Sequence, residues 1–387
     1  MQNKTGVVII EGHVQGLANL RTFGGKEIPV WLVDKTNCVA QNSKYCKNFS
    51  ICPSFETDEF VDFLIELCQK NNLKNWLLLP SNDHAVYSIA KHKEKLERHF
   101  KLFTSDLSII ENIYDKGKLI QLAIENDVIA PKTYFINSKS DFETTKFEYP
   151  LLVKGKNGLD FYKKNKTKVY KINNQYEFET NLKELQNTFK LSDLLIQELI
   201  PFKNHKTISF AAFCINGEIK SYWCGVKLRE HPIEFGTATF AKSINAPDLL
   251  EPSLKIISAL NYNGICEIEY LFDTKTLDFK LIEINARTWL WVELAKKSGV
   301  DFVYLAYCHV NNLEINFPKS YKQDTLWINP ITDFVFSCIA ISKGKLNPFV
   351  YLKSILTFGK TNALFKLRDL KPGFAYFKNL FAIKKQR

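Results

Sequence analysis

Three short unbroken apolar runs mark the first third of the chain: Gly6-Val7-Val8-Ile9-Ile10, Val30-Trp31-Leu32-Val33 and Trp76-Leu77-Leu78-Leu79-Pro80. Runs of this length without polar alternation predict strands buried on both faces. Between the second and third, Glu59 to Asn71 carries the spacing of an amphipathic helix, and a turn at Gly12 to Gly16 leads into another through Arg21 and Phe23. Strands alternating with helices predict a parallel sheet with helices on both faces. Ligands of such sheets lie beyond the carboxyl ends of the strands, which here are Gly12-His13 and Ser81-Asn82-Asp83. The spacing Gly12-x-x-x-Gly16 is not the glycine fingerprint of a dinucleotide site, so no nicotinamide cofactor is inferred.

Near Asp106 the pattern changes. One helical stretch runs to Asn112, a second from Asp115-Lys116 to about Glu125, and Pro131 marks its exit. Tyr149-Pro150-Leu151-Leu152-Val153-Lys154 is an apolar strand that delivers one lysine at its end. The polar, lysine-rich stretch from Gly155 to Lys168 reads as a mobile loop. Strands follow at Leu194 to Pro201, Thr207 to Ile215 and Ile219 to Val226. Cys266 to Phe272 and Leu281 to Arg287 then alternate in the strand manner around a polar turn, Asp273 to Asp278. Folding about Thr276 sets Glu269 opposite Glu283, with Asn285 and Arg287 continuing on the same face. Like charges opposed in a sheet are destabilising. A divalent cation carrying phosphates would resolve the conflict, since magnesium is held by one or two carboxylates plus phosphate oxygens. The alternative is a solvated polar face with loosely paired charges.

At 387 residues the chain is long enough for about two or three domains. No apolar run approaches the roughly 18 residues that span a bilayer; the longest, Phe334 to Ile341, is far shorter. Met1 to Thr5 lacks the basic region of a signal sequence. The nine cysteines are scattered without a Cys-x-x-Cys pair, which argues against zinc and disulfides and for a reducing, cytoplasmic setting. Charge is placed unevenly. From Ser342 to Arg387 there are eleven Lys and Arg against one acid, Asp369, a net of +10 within a chain total of +11. This aromatic-rich tail could meet an anionic membrane surface, nucleic acid or an anionic substrate. It could equally be a helical cap whose apolar face docks on the body while its lysines stay in water.

The order of these signals resembles the ATP-grasp superfamily, in its branch of D-aspartate-ligase-like carboxylate–amine ligases. The resemblance rests on Gly16 to Arg21, Pro80 to Asp83, Asp115-Lys116, Lys154, Gln197 to Pro201, Lys227-Leu228-Arg229, Phe235 to Thr239 and Glu269 with Glu283-x-Asn285-x-Arg287. It implies an α/β chain with a Rossmann-like pre-ATP-grasp domain at 1–113. An ATP-grasp domain follows at 114–316, two α+β subdomains (114–196 and 197–316) clasping ATP. A short basic helical region at 317–387 completes the chain. Lys116 and Lys154 would hold the α- and β-phosphates, as an ammonium at a strand end is a suitable point charge. Gln197, Glu198, Leu199 and Ile200 would form the hinge strand, offering backbone groups to adenine while Leu199 or Ile200 packs on the base. Glu269, Glu283 and Asn285 would coordinate one or two Mg2+ (or Mn2+) ions. Arg287 would contact the γ-phosphate, unless it pairs with Glu267 or Glu269. Arg229 would anchor an acyl phosphate or substrate carboxylate. His13 and Asp83, with Trp289 and Trp291, would line the substrate pocket or serve only in packing and capping.

Two features depart from the family. The loop after Lys154 is sparse in glycine and basic, which shifts phosphate coverage toward Lys156, Lys163 or Lys164. An acid after the hinge is replaced by Phe202-Lys203-Asn204-His205. The activity implied is an ATP-dependent ligase joining a small-molecule carboxylate to an amine through an acyl phosphate, with an amino acid and a cell-wall or surface-polysaccharide precursor among the substrates that would suit it. The alternatives are a small-molecule kinase and a non-catalytic nucleotide-binding module held at the inner membrane surface by its tail. No nucleic-acid partner is expected, and the sequence does not set the oligomeric state.

Overall fold

The computed structural model describes residues 5–233 and 236–386. Phe235, the first residue of the Phe235 to Thr239 motif, lies outside them. Strands β1 (Val7–Ile10), β2 (Val30–Asp34), β3 (Asn48–Ile51) and β4 (Leu77–Pro80) form a parallel sheet ordered β3-β2-β1-β4. The continuous apolar runs become its buried centre, with Val7 to Ile10 fully enclosed. β3 is an addition to the sequence reading: its residues Asn48-Phe49-Ser50-Ile51 are only partly covered, as suits a polar edge strand. The turn after β1 is shorter than its glycines suggest. The helix Val14–Gly24 starts two residues before Gly16, and a Cβ at Gly16 would lie 2.0 Å from the Glu11 carbonyl oxygen. Glycine there lets the helix fold back over the strand end.

A second sheet takes β5 (Thr133–Tyr134), β6 (Leu151–Gly155), β7 (Tyr170–Ile172) and β8 (Leu194–Glu198) in the antiparallel order β5-β8-β6-β7. The segment read as a mobile loop contains a helix, Gly158–Asn165. Its anchor is Phe161, fully buried against the core of this sheet. Gly155 makes the approach possible, because a Cβ there would sit 2.5 Å from that of Phe161. Phe161 is the one buried position among the helix's described side chains, too weak a pattern to reveal a helix in sequence.

The third sheet is larger: β9 (His205–Ile215), β10 (Glu218–His231), β11 (Thr237–Ser243), β12 (Gly264–Asp273), β13 (Phe279–Asn285), β14 (Leu326–Ile328) and β15 (Thr361–Asn362). The order is β13-β12-β9-β10-β11-β14-β15, so the C-terminal region adds strands as well as helices. The β12–β13 hairpin has the expected register, Glu269 opposite Glu283 and Glu267 opposite Asn285. One core joins the first sheet to the third, running from Ile9, Leu17 and Phe23 to Phe213, Trp223 and Trp289. The helix Val14–Gly24 carries much of this packing, and the cleft opens beside the carboxyl ends of β1 and β4, lined there by Glu11, Ser81, Asn82 and Asp83.

Candidate active site

The cleft is a cavity of about 600 Å³ with walls from all three sheets, within the size range of small-molecule and cofactor sites. Its cationic wall is built from two local devices. Asp115 caps the helix Lys116–Glu125, accepting from the Gly117 and Lys118 amides at 2.8 and 3.0 Å, and so fixes Lys116 at the helix start. Apolar β6 carries Lys154 inward, leaving it 9% exposed. Burial, reinforced by the neighbouring Lys116 ammonium, pushes Lys154 down to about 7.

The acidic wall is the β12–β13 hairpin. Lys116 donates to Glu283, and that ammonium, outweighing the burial penalty, holds the Glu283 carboxyl well below the usual carboxylate range. Lys227 from β10 donates to both oxygens of Glu269 at 3.1 and 3.0 Å. Burial opposes the Lys227 charge, but Glu269 keeps its ammonium above the ordinary lysine value. The opposed carboxylates are thus each matched to a lysine, which is the physical reason they coexist at close range. Glu267, two residues before Glu269, faces the same way. It accepts from Ser209 Oγ at 2.7 Å and Asn285 Nδ2 at 3.2 Å, and burial, then Glu269, pushes it up to about 8.

Arg287 enters the cleft but pairs with neither Glu267 nor Glu269. It clasps Asp83 through Nε–Oδ1 at 2.8 Å and Nη2–Oδ2 at 2.9 Å, and Nη2 also donates to Asn285 Oδ1 at 3.1 Å. Asp83 therefore acts in the structure as the arginine's partner, at the first turn of the helix Asp83–Lys91 that Asn82 caps. His13 lines the same end, its ring 6.3 Å from that of Tyr376 and its Nδ1 3.3 Å from Gln15 Oε1. Trp289 and Trp291 line the cleft while remaining almost fully buried.

The hinge strand lines the cleft from Gln197 through Ile200. Its backbone is less available than the sequence reading supposes. The Glu198 amide donates to the Lys132 carbonyl and the Leu199 amide to the Pro150 carbonyl, each at 2.9 Å. The Gln197 side chain is spent on Thr133 Oγ1 at 2.8 Å, and the Glu198 carboxylate accepts from Lys280 Nζ at 2.7 Å.

Arg229 requires a correction. It does not line the cleft. Register shifts in β10 between Lys227 and Arg229, and again between Arg229 and Glu230, break the alternation. Lys227 and Glu230 both face the cavity, and Arg229 turns to the other side of the sheet. There it holds Asp333 in a two-bond pair, both contacts 2.8 Å, and Asp333 is fully buried.

Among the charged cleft residues, Glu11, Lys168 and Glu230 escape the sequence reading, and Lys227 enters it only within the Lys227-Leu228-Arg229 motif, with no role assigned. Glu11 sits at φ +74° just past β1 and accepts from Asn82 Nδ2 and Gln15 Nε2, both at 2.9 Å. Burial pushes it up to about 7, and does the same to Glu230. Burial lowers Lys168. The signal that could have found Lys227 is a charged side chain closing the apolar run of β10.

The donor set suits magnesium. Glu267, Glu269, Glu283 and Asn285 present oxygen atoms on one face of a hairpin that lines the cleft, the kind of donor that a hard divalent cation takes.

Residues 230–311 match the family model described as the ATP-binding domain of the carbamoyl-phosphate synthase L chain. No curated protein matches in sequence. Among solved structures, an L-amino acid ligase from Bacillus licheniformis is similar at 17% identity, with a TM-score of 0.61 over 80% of this chain and 75% of its own. An N5-carboxyaminoimidazole synthetase from Staphylococcus aureus is similar at 13% identity, with a TM-score of 0.63 over 84% and 82%. A biotin carboxylase domain from Hydrogenobacter thermophilus, solved with Mg-ADP, ADP and bicarbonate, is similar at 14% identity, with a TM-score of 0.64 over 84% and 74%. The chain carries the ATP-grasp fold.

Proposed function

We propose that this protein is an ATP-dependent ligase joining a carboxylate to an amine through an acyl phosphate. The observation that carries this reading is the meeting of Lys116, Lys154 and Lys227 with Glu269, Glu283 and Asn285 in one cleft. Cations alone would suit any anion, and carboxylates alone any metal. Both sets facing each other suit a nucleotide triphosphate with its ion. A bound Mg2+, held by Glu269, Glu283 and Asn285, would neutralise charge on the β- and γ-phosphates.

The chain's own residues then divide the work. Lys116 and Lys154 would draw the phosphates inward, each exchanging burial cost or a carboxylate for phosphate oxygens. Arg287, held in place by Asp83, would stabilise the equatorial oxygens of the phosphoryl group in transfer. A substrate carboxylate oxygen attacks the γ-phosphorus, the bond to the bridging oxygen breaks, and ADP leaves. The amine nitrogen then attacks the acyl carbon and phosphate departs. The proton lost by the amine needs an acceptor that titrates near the working pH. Glu11, which lines the cleft beside Gln15 and Asn82 and is pushed up to about 7 by burial, would serve as that acceptor. The fold shared with an L-amino acid ligase supports a reaction of this class.

The test is a matrix of carboxylic acids against amines, with mass detection of the condensed product and of ADP. The expected result is ADP formation only where acid and amine are both present, with one amide per ADP. A stable phosphorylated product formed without amine would make the protein a kinase instead.

A further inference from the structure

The C-terminal helices wear their polarity inside out. The helix Pro330–Ser342 buries Asp333, Ser337 and Ala340 while Phe334 and Ile339 are exposed. The reason is Arg229, which demands a carboxylate on the buried side. The next helix, Pro348–Leu356, has no buried residue at all. It leans on the body through a polar stripe: Arg229 Nη1 donates to Ser354 Oγ at 2.8 Å, and the guanidinium lies 5.1 Å from the Tyr351 ring centre. The opposite stripe therefore points to solvent, and it is apolar. Phe349 is 81% exposed, Leu352 55% and Leu356 64%, with Phe358 just beyond at 98%. Apolar surface concentrated in this way marks an interaction site.

Charge identifies the partner. Asp369, the one acid in a stretch that carries +10, is turned inward and nine-tenths hidden. Arg21 Nε at 2.8 Å, Ser43 Oγ at 2.7 Å and the Lys44 amide at 2.9 Å consume its carboxylate. What remains outside is positive. Lys343, Lys345 and Lys353 are exposed around the apolar stripe, and Lys371 and Lys378 are exposed beside Phe374 and Phe377 on the last helix.

We propose that this face docks on an anionic membrane surface, with Phe349, Leu352, Leu356 and Phe358 entering the interface and the lysines meeting lipid headgroups. Apolar burial and electrostatic attraction together set the strength of such binding. Both features are used by a bilayer. Nucleic acid would use the lysines and leave the apolar stripe in water. A second copy would cover the stripe but bring two strongly basic faces together. The helix lies along the surface and does not cross it: among the described residues no helix is long and apolar enough to span a membrane.

The experiment is co-sedimentation of the full chain with vesicles of phosphatidylcholine alone or containing phosphatidylglycerol. Expected is binding to the anionic vesicles, weakened by salt, and at least about tenfold weaker on phosphatidylcholine. The triple variant F349S/L352S/L356S is expected to lose about tenfold or more of that binding. Because these side chains contact water, its thermal midpoint and its nucleotide affinity should match the parent. The charge variant K343E/K345E/K353E should lose binding as well. Equal sedimentation of parent and triple variant would overturn the proposal. So would a concentration-dependent dimer that the triple variant dissolves, or tight binding of an oligonucleotide that the triple variant retains. None of these readouts depends on the ligase reading.

Discussion

Lys154 is the residue whose charge depends most on what enters the cleft. In the free protein burial and Lys116 hold it at about 7, so at pH 8 the amine is mostly neutral. Phosphate oxygens favour the ammonium and raise that value on binding. Nucleotide binding at pH 8 should therefore take up protons, approaching one per site, and the uptake should fade below pH 6, where the group is already charged. Calorimetric titrations in buffers of different ionisation enthalpy measure this directly. The expected outcome is uptake in the parent and its loss in K154M; equal uptake in both would remove Lys154 from the phosphate site. This lysine is legible in sequence, because an apolar strand ending in a cation is an unusual place to bury charge. The pairing of Lys227 with Glu269 is not: the two sit on different strands, and only the assembled order of β12, β9 and β10 brings them to one face.

Among the elements, β10 decides most. From Ser221 to Lys227 it pairs in unbroken register, and strict alternation would send Arg229 into the cleft beside Lys227. The two register shifts at that point reverse the outcome, sending Arg229 toward Asp333 and Glu230 inward. A bulge has no sequence signature here, so the arginine is misread for a physical reason. The helix Gly158–Asn165 escapes for a different one, since Phe161, the one buried position among its described side chains, gives no period. By contrast the buried strands of the first sheet and the alternating β12–β13 hairpin declare themselves, the first by continuous apolarity and the second by period two. The placement of Arg229 has a thermodynamic consequence. Arg229→Met leaves the fully buried Asp333 carboxylate without its partner, a loss of about 3–5 kcal/mol. Urea unfolding should show it, while the nucleotide affinity of the folded variant stays within about twofold of the parent. A variant of unchanged stability that cannot bind or turn over would return Arg229 to the active site.

At the scale of the whole molecule, three sheets converge on one cavity, and each contributes a different chemistry. The first supplies Glu11, Asn82 and Asp83 at its strand ends, the second Lys154 and the hinge, the third Lys227 and the acidic hairpin. Pairing between lysines and carboxylates keeps the cavity neutral enough to fold, and those same pairs are what a nucleotide and its ion would exchange. Sequence order alone exposes this plan, because each wall is a contiguous stretch of chain. The ion pairs across it are tertiary facts, and the exposed apolar stripe is another, since only the inward turn of Arg229 and Asp369 reveals which side is left outside.

The most direct measurement is titration of a non-hydrolysable ATP analogue with Mg2+ present and with Mg2+ chelated, in the parent and in E269Q/E283Q. With the Glu269 and Glu283 carboxylates on the wall where the phosphates would lie, the parent should bind at least about tenfold more weakly without the ion, a difference of about 1.4 kcal/mol. The double variant should lose most of that dependence on Mg2+. Nucleotide affinity in the parent that is indifferent to chelation, or no affinity at all, would contradict the account.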